Sequence, residues 1–128
     1  MTTPTQDPDA GPERILVIGA HPDDIDFGCS GSVAMWVDAG IEVHYGIVTD
    51  GQAGGFDEDL DRALMPETRR SEQRAAAAAV GVPAERVHFL GWMDGELTVT
   101  LELRRDLSRL IRQVRPERVV CQSPVRNL

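Results

Sequence analysis

A chain of 128 residues, 41% hydrophobic and 27% charged, is long enough for one compact domain with a modest core and too short for two. Its 21 acidic residues against 13 basic give a formal net charge of −8, which leaves no basic stripe and argues against nucleic acid or anionic lipid as a partner. Small-molecule chemistry is the expected class. No apolar run approaches the roughly 20 residues that span a bilayer, so no membrane insertion is expected. The two cysteines, Cys29 and Cys121, are no disulfide framework, and reduced thiols suit a cytoplasmic protein.

In chain order, residues 1–12 are polar and proline-rich and read as a disordered lead-in, with a single domain over 13–128. Arg14 to Gly19, RILVIG, is a short aliphatic run suited to a strand buried on both faces. After the polar loop Ala20 to Cys29, the spacing of Val33, Trp36, Val37 and Gly40 predicts a helix beginning at Ser30 or Gly31 and stopping at Gly40. Glu42 to Thr49 reads as a second strand, and a glycine-rich loop, Asp50 to Pro66, follows. A helix is predicted around Glu67 to Val80, then a third strand, Arg86 to Leu90, and a turn at GWMDGEL. The stripe of Leu103, Leu107, Leu110, Ile111 and Val114 predicts a third helix over 101–115, and Arg118 to Gln122 makes a fourth strand.

Strands alternating with helices imply βαβ units and a mainly parallel sheet, hence an α/β, Rossmann-like three-layer fold. Ligands in such sheets bind outside the carboxyl ends of the strands, where the loop IGAHPDDIDFGCSGS stands. A doubly wound domain normally continues past a fourth strand, so the sequence is expected to be truncated there. An incomplete sheet edge would favour a homo-oligomer.

His21 and Asp24 lie three residues apart on that loop. The spacing lets an imidazole nitrogen and a carboxylate oxygen converge on one cation, and zinc accepts such mixed ligands at about 2.0 to 2.2 Å. Asp23, pointing elsewhere, could reach a metal-bound water as general base. The competing reading is a plain turn whose aspartate caps the next helix. A noncatalytic α/β binding domain is a second rival. Against a nucleotide, the first turn lacks G-x-G-x-x-G and places carboxylates where phosphate would sit.

AHPDD after a hydrophobic strand, then GCSGS, then TDG closing the second strand, resembles the LmbE-like, or PIG-L, family of zinc-dependent de-N-acetylases. The resemblance runs from about Arg14 to the end of the chain. It implies hydrolysis of an N-acyl, typically N-acetyl, amide on an amino sugar, with Zn²⁺ as cofactor and a small amino-sugar substrate. Carried over residue by residue, it makes His21 and Asp24 metal ligands and Asp23 the general base. Arg69, three residues before Glu72, and Asp94 in LGWMDGEL would contact substrate. The family's third ligand, a histidine, and its auxiliary His and Tyr belong to a segment beyond Leu128, so an inactive fragment is the remaining alternative. His44 and His88 fall within strand patterns and read as satisfied face histidines rather than ligands. Asp50 at the rim suits an orienting role, and Asp26 reads as solvated or capping. Trp36 reads as core, whereas Trp92 on the rim loop could stack on a sugar. The acidic run Asp57 to Asp61 reads as a solvated face.

Overall fold

The computed structural model describes residues 11–50, 65–93 and 100–123. Four strands form one parallel sheet: β1 (Arg14–Gly19), β2 (Glu42–Thr49), β3 (Val87–Trp92) and β4 (Arg118–Val120), in the spatial order β3-β2-β1-β4. Among the described residues three helices connect them, α1 (Asp24–Asp38), α2 (Met65–Ala79) and α3 (Leu101–Val114), with a 3₁₀ turn at Ala84–Arg86 before β3. Strands and helices alternate as the patterning predicts.

The sheet is central because its aliphatic strands offer apolar side chains to both faces. Ile15 and Val17 of β1 pair in register with Val43 and Tyr45 of β2, and this face packs with Ile25 and Val33 of α1 and Ala77 of α2. The other face carries Leu16 and Ile18, covered by Leu110 and Val114 of α3. Three layers result. Ile111, assigned to the buried stripe of α3 on spacing, is instead 38% exposed. A stripe wide enough for five residues meets a sheet face that needs two.

The helix ends follow local chemistry. Thr100 caps α3 by accepting a hydrogen bond from the Leu103 N–H at 3.2 Å, and Arg115 ends it in a left-handed conformation before Pro116. The start of α1 departs from the expected boundary, since Asp24 to Gly28 already form helix and Cys29, at φ −152°, interrupts it. The stretch expected to be loop is therefore a helical turn. Ile25, 3% exposed, draws it onto the core, which apolar spacing beginning at Val33 does not reveal.

Tyr45 is fully buried, and among the described residues its hydroxyl meets no hydrogen-bond partner. Burial, with Asp26 and Cys29 nearby, pushes its phenol well above the ordinary tyrosine value. An unsatisfied buried hydroxyl costs roughly 1 to 3 kcal/mol. Tyr45→Phe is therefore expected to leave stability unchanged or raise it by about 1 kcal/mol, read as the midpoint of urea unfolding; a loss of that size would show a partnered hydroxyl. Among the described residues no helix is long and apolar enough to cross a membrane.

Candidate active site

The strand order fixes where a site can form. β1 leads through α1 to β2 on one side and pairs with β4 on the other, so the strand order reverses between β1 and β4, the place where an α/β sheet leaves a crevice at its carboxyl edge. A cavity of about 220 Å³ lies there, lined by Gly19, Asp24, Ile25, Cys29, Val120 and Gln122 among others. The Thr49 N–H and Oγ1 both donate to the Ala20 carbonyl, at 2.9 and 2.8 Å, which ties the first loop to the end of β2.

Within that loop, Asp24 Oδ2 accepts a hydrogen bond from the His21 backbone N–H at 2.9 Å and stands 3.4 Å from His21 Nδ1. Two ligands of one tetrahedral zinc, at bonds of about 2.0 to 2.1 Å, lie about 3.3 to 3.4 Å apart. The pair fits the ion in donor chemistry and in spacing. Gln122, expected within the fourth strand but lying two residues beyond the end of β4, approaches the same Oδ2 through its Nε2 at 3.4 Å and joins the two sides of the crevice. Among the described residues no group of three or more His, Cys, Asp or Glu converges on a common point, so two donors are what this part of the chain brings together.

Asp23 occupies the N-cap position of α1, yet its side chain makes no capping hydrogen bond and its φ is +75°. A conventional N-cap has extended backbone and a side chain folded onto the helix end. The plain-capping reading of the loop thus fails. The Asp23 N–H donates instead to Oε1 of Gln73, on α2, at 2.8 Å. Gln73 is fully buried, and its Nε2 donates to both carboxylate oxygens of Asp26 at 3.3 and 3.4 Å. Asp26 is half-buried and paired with Gln73 rather than standing free on the surface or capping the helix. Burial pushes its carboxyl above the ordinary value and the nearby Asp23 adds to this, while the Gln73 hydrogen bond pulls it back. The sequence offered one signal for Gln73: a polar residue four positions before Ala77 on the inward stripe of an alanine-rich helix.

Arg69 stands one helical turn before Gln73 on α2, and its guanidinium lies 3.3 Å from Glu72. Its neighbour Arg70 takes a different task, donating to Asp50 Oδ1 at 2.9 Å while its guanidinium sits 5.2 Å from the Phe89 ring centre. Asp50, 7% exposed, is thereby committed to joining β2, α2 and β3. Trp92 is the last residue of β3 rather than part of a rim loop, and its indole N–H donates to Asp106 of α3 at 2.9 Å. Trp36 packs against the core. Cys29 and Cys121 are free thiols on the crevice cavity, and burial pushes the Cys29 thiol up. Asp94 and the run Asp57 to Asp61 lie outside the described residues.

His44 and His88 stack on the α3 side of the sheet, with Nδ1 of His44 3.0 Å from Nε2 of His88 and Nε2 of His44 2.8 Å from Glu42. A carboxylate only accepts, so His44 carries a proton on Nε2 toward Glu42, and while His44 is neutral its Nδ1 accepts from His88 Nε2–H. The His44 hydrogen bond is the main influence holding the Glu42 carboxyl below its ordinary value. Burial, with the charge of His44 second, lowers the His88 value below 6.5. The unfolded chain therefore takes up the His88 proton first as pH falls, so this contribution is complete above about pH 6.5 and is lost as the pH drops through the lower folded value. His88→Gln keeps a donor for His44 and is expected to flatten the pH dependence of urea unfolding between pH 7.5 and 5. An unchanged slope would remove His88 as its source.

With this geometry in place, the comparisons are decisive about kinship. Residues 16–127 match the family described as PIG-L, GlcNAc-PI de-N-acetylase. The chain belongs to the PIG-L family. It is 33% identical over 112 residues to the diacetylchitobiose deacetylase of Thermococcus kodakarensis, a match covering 88% of this chain and 41% of that protein. It is 30% identical over 116 residues to a probable N-acetyl-alpha-D-glucosaminyl L-malate deacetylase of Bacillus cereus, covering 87% and 52%. Among solved structures, the N,N′-diacetylchitobiose deacetylase of Pyrococcus horikoshii superposes with a TM-score of 0.80 at 34% identity, over 84% of this chain and 40% of that one. This PIG-L chain thus spans about two fifths to one half of the length of these relatives. The same architecture also holds GalB of Pseudomonas putida, a 4-carboxy-2-hydroxymuconate hydratase, with a TM-score of 0.74 at 25% identity. Deacetylases of N-acetylglucosamine compounds dominate the relatives, and hydration chemistry occurs on a closely similar fold.

Proposed function

We propose that this chain carries part of a zinc-dependent deacetylase site that hydrolyses the N-acetyl amide of an amino sugar or its conjugate, in a cytoplasmic protein. The observation that carries the reading is the convergence of His21 Nδ1 and Asp24 Oδ2, 3.4 Å apart, at the carboxyl end of β1. These two side chains would hold the metal. When bound, zinc polarises the acyl carbonyl and brings the pKa of water to about 7. Asp23, freed from helix capping, accepts the proton of the attacking water as the carbonyl carbon becomes tetrahedral. The amide C–N bond then breaks as that proton passes to the leaving nitrogen, giving acetate and the free amine. Arg69 and Asp94 orient the sugar.

Zinc titration against a chromophoric chelator tests the metal reading. The wild-type chain is expected to take up zinc at one site, and His21→Ala or Asp24→Ala is expected to weaken uptake by at least tenfold; equal uptake by all three overturns the ligand assignment. Acetate release from diacetylchitobiose separates deacetylation from the hydration chemistry of the GalB-like fold, since hydration of a carbon–carbon double bond releases no acid.

A further inference from the structure

The turn that presents His21, Asp23 and Asp24 is not self-supporting. Asp23 adopts φ +75°, a region that costs most L-residues roughly 1 to 2 kcal/mol, and it gains no side-chain capping bond in return. Its N–H points away from the helix that follows and must find an acceptor elsewhere. The acceptor is Gln73 Oε1, 50 positions along the chain. Gln73 has 0% exposure, on a helix whose neighbouring inward position is Ala77. A glutamine in such a place is stabilising only if both ends of its amide are satisfied. Both are. Carboxylate oxygens of Asp26 only accept, so they fix the NH₂ end of Gln73 toward themselves and thereby aim its carbonyl at the Asp23 N–H.

We propose that Gln73 is a positioning residue of the site, holding the left-handed turn at Asp23 and through it the divergence of the two adjacent carboxylates. A left-handed residue reverses the local course of the backbone. Asp24 thereby folds back onto His21 while Asp23 is left beside Asp26 rather than on the helix end. Gln73 touches neither metal nor substrate and works through the main chain of Asp23. What the turn is for rests on the deacetylase reading, whereas how it is held does not.

Two readouts on the purified chain test this: amide hydrogen exchange at Asp23 by NMR, and zinc affinity by chelator competition. In Gln73→Leu, which keeps the volume and removes both hydrogen bonds, Asp23 is expected to exchange at least tenfold faster while the β1 and β2 amides keep their protection. Zinc affinity is expected to fall about tenfold. Gln73→Glu alone sets three carboxylates together and is expected to behave as badly. The exchanged pair Gln73→Glu with Asp26→Asn reverses the polarity of the bridge, because Glu accepts from Asp23 and Asn donates to Glu. It is expected to restore Asp23 protection. Wild-type exchange at Asp23 in Gln73→Leu overturns the proposal, as does an exchanged pair that folds without restoring it. Should Gln73→Leu lose protection throughout the sheet, the exchanged pair alone decides in the same two directions. A wild-type chain that binds no zinc overturns the deacetylase reading and leaves the exchange result to judge Gln73.

Discussion

Asp23→Asn is expected to lower acetate release by about 10²- to 10⁴-fold, the usual worth of a positioned general base, while zinc stays bound. The substitution isolates the proton from everything else at this position. Asparagine is nearly isosteric, tolerates a left-handed backbone as well as aspartate does, and keeps the N–H that Gln73 holds. His21 and Asp24 are untouched, so the donor pair survives. Parallel measurement of acetate release and zinc stoichiometry checks the expectation. Retained activity with bound zinc would take the base role from Asp23, and loss of zinc would show that its carboxylate belongs to the metal set.

The largest effect on stability is expected at the end of α2. Gly81 has φ +93°, its N–H and that of Val82 close the helix onto the Ala78 and Ala77 carbonyls at 3.0 and 2.9 Å, and Val82 is fully buried. A Cβ at Gly81 would lie 2.6 Å from Cγ1 of Val37, on the facing helix α1. Valine is stiff at χ1 within a helix and cannot swing aside. Gly81→Ala combines backbone strain with overpacking, together about 2 to 4 kcal/mol, a large share of the 5 to 15 kcal/mol typical of a domain. Gly40→Ala is the control, since Gly40 has φ +85° but nothing within 4 Å of the added carbon. It is expected to cost about 1 kcal/mol. Equal urea midpoints for the two variants would remove the Val37 contact as a cause.

The Gln73 and Gly81 contacts share a property: each joins α1 or its leading loop to α2, and in neither case do the near neighbours in sequence reveal the partner. That separates what could be read from the sequence from what could not. Aliphatic runs such as RILVIG identify buried strands because satisfying both sheet faces needs apolar side chains at every position, and the 3.6-residue spacing identifies the body of α1 and α3. The spacing in question is that of Val33, Trp36 and Val37 in α1 and of the leucine stripe in α3, and both signals are properties of near neighbours. The family motif was equally legible, since His21, Asp23 and Asp24 are contiguous and the turn after β1 of an α/β sheet is where ligands bind.

What the tertiary structure decided is how those residues are used. The sequence left open whether an aspartate of this loop caps the next helix; the left-handed backbone of Asp23 and its bond to Gln73 answer that it does not. Asp26 changes from a surface group to one end of a half-buried bridge, Trp92 from a rim side chain to a partner of Asp106, and Asp50 to the mate of Arg70. Each pairing spans 14 to 47 positions. Hydrophobic periodicity fixes which face of an element turns inward, but not which polar group on a neighbouring element it will meet. That choice follows from the strand order and from the requirement that every buried donor and acceptor be matched, and both are settled only when the chain is folded.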